Sequence, residues 1–170
     1  MGDVNLGMLI LRVAVGLTFA AHGYAKIFTG GKLAGVAGWF DSMGMRPGKV
    51  HARLAAFTEI GAGIGLALGL LTSFSALAMV GVMGVAAYTS HRTNGFFIIK
   101  EGWEYTFVLA IVAIAVATVG PGEWSLDNAI GLDLAGVAGL IISAGGGLLA
   151  ATGQIGAFYR PESVAKSTAS

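Results

Sequence analysis

Long runs of apolar residues separated by short polar stretches dominate the chain, and they predict membrane-spanning helices. Five such segments cover approximately residues 6–28, 53–71, 74–90, 105–119 and 129–152, against the roughly 17–25 residues that a helix needs to cross a bilayer. The fifth is rich in glycine, which lowers its intrinsic helix propensity. The pattern predicts an all-α integral membrane protein: a four-helix transmembrane bundle core plus a fifth transmembrane helix. Residues 1–152 would form this single domain, and residues 153–170 a partly disordered tail.

The first loop carries a second, shorter helical pattern. Apolar residues recur there at helical spacing, namely Leu33, Val36, Ala37, Phe40 and Met43. They predict a short helix over residues 32–43 that lies in the membrane interface and ends before Pro47. The first apolar segment is not expected to be a cleaved signal peptide, because it lacks a basic start and contains Arg12.

The basic residues are concentrated on one side of the predicted membrane. With five spans, the loops at 28–52 and 91–104 share a side with the C-terminal tail. Together with the adjoining helix ends, these stretches hold nine of the ten Lys and Arg residues. Loops rich in Lys and Arg tend to stay in the cytoplasm. The distribution predicts a multi-pass protein of the cell (inner) membrane, with the N-terminus outside and the C-terminus in the cytoplasm.

Composition supports a membrane protein and excludes several function classes. The chain is 55% hydrophobic and 11% charged, whereas a soluble domain carries about 25% charged residues. The absence of cysteine excludes disulfides, thiol chemistry and Cys-ligated metals. A net charge of +1 without a basic stripe gives no sign of nucleic-acid binding. The expected surroundings are membrane lipids and protein partners in a membrane complex, and a homo-oligomer is compatible with the sequence.

Ionisable residues inside the apolar segments are the candidate functional groups, because charge in hydrocarbon is costly and needs a partner or a function. Their predicted positions bring five of them toward the cytoplasmic face, namely His22, Lys26, Glu59, His91 and Glu104. Within this group, His22 and Glu59 are the candidates for proton transfer. The alternative for Glu59 is a buried structural ion pair with His22 or Lys26, and the alternative for Glu104 is a helix cap.

A second set of charges is predicted near the outer face. Arg12 lies inside the first helix, and its expected partners are Asp127 or Asp133, in a buried pair that pins the first helix to the last hairpin. Gly61, Gly65 and Gly69 repeat every four residues on the second predicted helix. This spacing is typical of a close helix-packing face.

The sequence encodes no evident resident cofactor. Haem ligation by His22 and His91 is disfavoured, because two histidines at predicted similar depths are a weak signal. The chain also lacks the repeated carboxylate and histidine spacing of a di-iron site. No metal site is expected.

Several short motifs, taken in order, resemble those of the DoxX family of membrane proteins. They are RVAVG at 12–16, HGYAK at 22–26, EIGAG at 59–63, GLLT at 69–72, NGFF at 94–97, GWEY at 102–105 and GPGEWSLD at 120–127. The resemblance covers about residues 6–127. It implies a core of four membrane helices and a link to subunits of thiosulfate:quinone oxidoreductases and other membrane redox assemblies. The resemblance also implies that the charged and polar motif residues of the family correspond here to Arg12, His22, Lys26, Glu59, Glu104 and Asp127.

Two functions of different classes follow. The first is a membrane component of a quinone-linked oxidoreductase system acting in sulfur or oxidative-stress redox chemistry, with the quinone head group among His22, Glu59 and His91. The second is a non-catalytic accessory or scaffold subunit of a membrane complex. A carrier for a small acid or lipid ranks below both, because no inverted repeat is visible in the sequence.

Overall fold

The protein is a bundle of helices, seen in a computed structural model that describes residues 2–161. Within that range the chain contains helices and loops and no β-sheet. The helices are α1 (Gly2–Phe28), α2 (Lys32–Ser42), α3 (Gly48–Leu68), α4 (Thr72–Ala86), α5 (Glu104–Val119), α6 (Leu126–Ala129), α7 (Gly136–Leu140) and α8 (Gly147–Phe158). The predicted all-α membrane fold is confirmed.

Three of the described helical stretches are long and apolar enough to cross a membrane: Gly2–Phe28, Thr72–Asn94 and Gly136–Phe158. Helix α5 is also apolar but has 16 residues, and α3 has 21 residues with two basic ones near its start. Large side chains from four helices meet in the centre of the bundle with no solvent exposure, namely Phe19, Leu66, Met79 and Val116. The bundle core therefore comprises α1, α3, α4 and α5.

Close contact between α1 and α3 depends on glycine. A Cβ atom on Gly16 would collide with the backbone of Gly63, and one on Gly63 would collide with the backbones of Gly16 and Ala20. Of the three glycines in the predicted packing stripe, only Gly65 packs closely against a neighbouring helix, at Ser75 of α4, whereas Gly61 faces open space and Gly69 ends α3 in a left-handed conformation with φ +63°. The helix–helix contact runs through Gly63, which lies on a different face from Gly61 because the two are separated by about 200° around the helix axis.

The fifth membrane helix runs over Gly136–Phe158. It consists of α7, a π-helical stretch at Ile141–Gly146, and α8. The sequence placed its start at residue 129, but α6 and a loop occupy that region. The sequence also placed its end at residue 152, and the helix continues six residues further into the predicted tail. The disorder predicted for the last residues falls outside the described part of the chain.

The two ends of the bundle differ in charge. We call the end where α1 stops and α3 starts the basic end, because Lys26, Lys32, Lys49 and Arg53 lie there. The predicted short helix is present as α2 at this end. The segment after it is tied to the end of α8, since Arg160 N donates to Gly44 O at 2.7 Å and Met45 pairs with Tyr159. The opposite end, with Glu123, Asp127 and Asp133, is the acidic end.

Candidate functional site

A cavity of about 270 Å³ lies toward the basic end of the bundle, among α1, α2, α3, α4, α5 and α8. Much of its wall is apolar, including Phe40, Leu54, Val82, Met83 and Leu109. All three histidines of the chain line it, together with Lys26, Glu59, Tyr105 and Gln154. Apolar walls with a few convergent polar groups are the usual make-up of a small-molecule site.

Lys26 and Glu59 form an ion pair on the cavity wall. Lys26 Nζ donates to Glu59 Oε2 at 2.6 Å. The Glu59 side chain is 4% exposed and that of Lys26 is 22% exposed, so the pair links the bundle interior to its surface. The antiparallel contact of α1 with α3 creates this geometry, and Gly23 helps because a side chain there would collide with Ala56. Of the two partners that the sequence offered Glu59, the structure selects Lys26.

His22 is bonded to the neighbouring α5. Its Nε2 atom lies 3.0 Å from the hydroxyl oxygen of Tyr105, and the two rings are 5.7 Å apart. His22 is itself exposed at the bundle surface. The pair thus forms a rim of the cavity between α1 and α5, with a phenol and an imidazole that can exchange a proton through their hydrogen bond.

His51 occupies the part of the cavity near α2 and α8. Its side chain is 2% exposed, and its ring packs against Phe40 and Phe158. Gln154 Nε2 lies 3.0 Å from Nδ1 of His51. The other ring nitrogen, Nε2, is buried and has no hydrogen-bond partner in the structure, which is costly unless another molecule completes it.

His91 reaches the cavity from the end of the third membrane helix, Thr72–Asn94. The helix leaves regular α geometry here, since Ala87–His91 is π-helical, a distortion often found at functional sites. His91 Nδ1 lies 2.6 Å from the backbone oxygen of Glu101. This contact fixes the ring against the loop that leads into α5.

Glu104 does not join the cavity group as the sequence suggested. Its Oε2 atom accepts a hydrogen bond of 2.8 Å from Ile98 N, and its side chain does not line the cavity. It lies in the first turn of α5, where a negative charge favours the helix start, but it makes no capping hydrogen bond to α5 and instead ties the preceding loop to the helix. The reason is local: the loop before α5 folds back and presents a free amide to the carboxylate.

Arg12 is buried at the acidic end, but its bonding differs from the prediction. Its guanidinium donates to the backbone oxygens of Ala67 and Trp124, rather than to a carboxylate. Asp127 instead accepts from Leu71 N at 2.7 Å and Thr72 N at 2.8 Å, where it satisfies the first amides of α4. Asp133 is exposed and accepts from Ala135 N at 3.1 Å. Arg12 does join α1 to the end of α3 and to the loop before α6.

The cavity residues to which we assign a role and that were not among the predicted site residues include His51, Tyr105 and Gln154. A signal for His51 existed, because His51, Ala55 and Glu59 are spaced four residues apart and therefore share one face of α3. No sequence pattern pairs Tyr105 with His22, because the position of Tyr105 depends on how α5 packs against α1. Gln154 lies beyond the helix end that the sequence indicated.

Comparison with known proteins supports the family resemblance that the motifs indicate. A relative from Haemophilus influenzae, an uncharacterized protein, is 26% identical over 127 residues, which cover 74% of this chain and 84% of the relative. An uncharacterized membrane protein of Mycobacterium tuberculosis is 27% identical over 133 residues, covering 71% and 79% of the two chains. No solved structure matches the chain significantly.

The family match extends from α1 to near the end of the third membrane helix, Thr72–Asn94. The DoxX family model matches residues 7–92, which is half of the 170-residue chain. The matched region contains the Lys26–Glu59 pair and all three cavity histidines, whereas Tyr105 and Gln154 follow it. The chain is a multi-pass membrane protein that belongs to the DoxX family.

Proposed function

We propose that this protein is the quinone-binding membrane component of an oxidoreductase system, and that the cavity at the basic end receives the quinone head group. The observation that carries the proposal is the convergence of three histidines, Tyr105 and the Lys26–Glu59 pair on one largely apolar cavity. Its volume of about 270 Å³ is just below the usual ~300–1,000 Å³ of small-molecule sites. This size suits a single ring whose tail stays in the lipid.

The residues around the cavity fit such a ring. Apolar side chains such as Met83 and Leu109 would contact its faces, while donors at the edges would bind its carbonyl oxygens. The exposed His22 and the adjacent Tyr105 mark an entrance between α1 and α5. A head group could enter there from the bilayer without passing through water.

When bound, a quinone accepts two electrons and two protons to become a quinol. Tyr105 can donate one proton through its hydroxyl group and regain it from His22, which lies 3.0 Å away. The second proton goes to the other carbonyl oxygen, and the Lys26–Glu59 pair can provide a polar route for it from the surface to the cavity wall. The electrons would come from a partner redox protein or from a soluble reduced sulfur compound, as the DoxX resemblance suggests.

A binding titration tests the proposal. Trp39 lines the cavity, so a short-tailed benzoquinone should quench the tryptophan fluorescence of the purified protein in lipid nanodiscs with a saturable curve. Replacing Trp39 by Phe should remove the saturable component. Tyr105→Phe should weaken binding about tenfold, the effect expected for one lost hydrogen bond.

Tyr24→Phe is the matched control, because Tyr24 is exposed, stacks on Phe28 and does not line the cavity. It should bind the quinone as the parent protein does. Absence of saturable quenching in the parent protein, or equal affinities for Tyr105→Phe and Tyr24→Phe, would contradict the proposal.

A scaffold role is the second candidate, and the Lys26–Glu59 contact favours it. A direct ion pair of 2.6 Å satisfies both charges without any ligand and fixes the register of α1 against α3. On this account the protein would co-purify with a membrane complex and would not bind quinone by itself. Saturable quinone binding to the isolated protein would count against it.

A further inference from the structure

His51 has an unused hydrogen-bonding atom beside the cavity. The residue is 2% exposed, and its Nε2 atom is buried without a partner. The ring lines the same cavity as Glu59 and Tyr105. A buried polar atom without a partner costs about 1–3 kcal/mol. A ligand that accepts a hydrogen bond from Nε2 would remove this cost.

Gln154 determines which atom His51 can offer. The Gln154 amide nitrogen donates to Nδ1 of His51 at 3.0 Å, and Nδ1 must therefore carry a lone pair. A neutral imidazole with an unprotonated Nδ1 carries its hydrogen on Nε2. The unpartnered atom is thus a donor, and its natural partner is an acceptor such as a carbonyl oxygen.

The position of His51 places this donor away from the other polar groups. His51 and Glu59 are two helical turns apart on one face of α3, a rise of about 12 Å. His51 lies beside Gln154 of α8. Glu59 lies farther along α3 and pairs with Lys26 of α1, and His22 of α1 is bonded to Tyr105 of α5. A flat ring with an acceptor at each end matches this spacing better than a molecule with one polar end.

We propose that His51 donates a hydrogen bond from Nε2 to one carbonyl oxygen of the quinone head group, while Tyr105 binds the opposite carbonyl and Gln154 holds His51 in the required tautomer. The inference rests on the proposed function and assigns the orientation of the ring within it. Gln154 belongs to α8, which lies beyond the residues matched by the family model. The fifth helix therefore has a positioning role in the site.

Binding measurements on two variants test the assignment. His51→Leu should weaken the affinity for a short-tailed benzoquinone about tenfold. His51→Gln keeps an amide donor at the end of a comparable side chain and should recover most of that loss. Both variants should retain the helical content of the parent protein. Equal affinity of the parent protein and His51→Leu would overturn the assignment while leaving quinone binding intact.

Nitrogen-15 NMR of histidine-labelled parent protein gives a second, mutation-independent test. His51 should show a protonated Nε2 and an unprotonated Nδ1, and the Nε2 resonance should shift when the same benzoquinone is added. Gln154→Leu should allow the second tautomer to appear. A protonated Nδ1 in the parent protein, or an unchanged Nε2 resonance at saturating quinone, would overturn the inference. Failure of the parent protein to bind quinone at all would reject the proposed function as well.

Discussion

Lys26 Nζ lies 2.6 Å from Glu59 Oε2 and joins α1 to α3 on the wall of the cavity. Breaking a buried ion pair by removing one partner typically costs about 3–5 kcal/mol, because the other charge is left uncompensated. Because the Lys26 side chain is 22% exposed, we expect the cost of removing it to lie near the lower end of this range. The contact therefore links the stability of the bundle to the chemistry proposed for its cavity.

The first prediction concerns this pair. Lys26→Met should lower the free energy of unfolding in detergent by about 3 kcal/mol, because it leaves Glu59 buried with an unpaired charge. Adding Glu59→Gln to Lys26→Met should restore part of the loss. Lys32→Met is the control, since Lys32 is exposed. Purely additive losses in the double variant would show that the two side chains do not interact.

Glycine packing gives the second prediction. Gly63→Ala should destabilise the protein by about 1–3 kcal/mol, because the new methyl group collides with α1. Gly61→Ala should be neutral or stabilising by up to about 1 kcal/mol, since alanine favours helix and the position is open. Thermal unfolding in detergent distinguishes them. Equal melting temperatures for the two variants would show that α1 and α3 do not approach through Gly63.

Arg12 provides the third prediction. Arg12→Lys should loosen the acidic end, because one ammonium group cannot match the forked contact of a guanidinium with the carbonyls of Ala67 and Trp124. Hydrogen exchange of the Asp127 amide, which donates to Gly69 O at 2.8 Å, should accelerate about tenfold or more. The conservative control is Arg53→Lys at the exposed start of α3. An unchanged Asp127 exchange rate in Arg12→Lys would contradict the proposed clamp.

The fourth prediction is the orientation in the membrane. The chain has no cysteine, so single cysteines can be labelled without background. Glu123→Cys at the acidic end should react with a membrane-impermeant maleimide in intact cells, whereas Ser42→Cys at the basic end should react after permeabilisation, because basic loops are retained in the cytoplasm. The reverse pattern would invert the predicted topology.

Sequence reasoning identified the helices and the Lys26–Glu59 region because apolar runs and four-residue spacing are properties of single helices. The first loop joins α1 to α3, so these two consecutive membrane helices are expected to be antiparallel neighbours. The depth and spacing of residues along each helix were therefore sufficient to predict that Glu59 lies close to Lys26 or His22.

The remaining features depend on packing between distant helices. The hydrogen bond between Tyr105 and His22 depends on where α5 packs against α1. The hydrogen bond between Gln154 and His51 forms only because the last helix extends past residue 152. The π-helical turn at Ala87–His91 changes the direction of His91 without a distinctive sequence pattern. The charge of Arg12 predicted carboxylate partners, but its guanidinium binds backbone carbonyls instead, because helix ends supply unpaired carbonyls of their own.

Photoaffinity labelling tests the central claim most directly. An azido-benzoquinone would be irradiated with the protein in nanodiscs, and the labelled peptides would be identified by mass spectrometry. The account predicts labelling of cavity residues on α1, α3 and α5 at the basic end, and its loss with excess unlabelled quinone. Labelling that spreads over lipid-facing side chains and does not respond to the competitor would contradict a quinone site in this cavity.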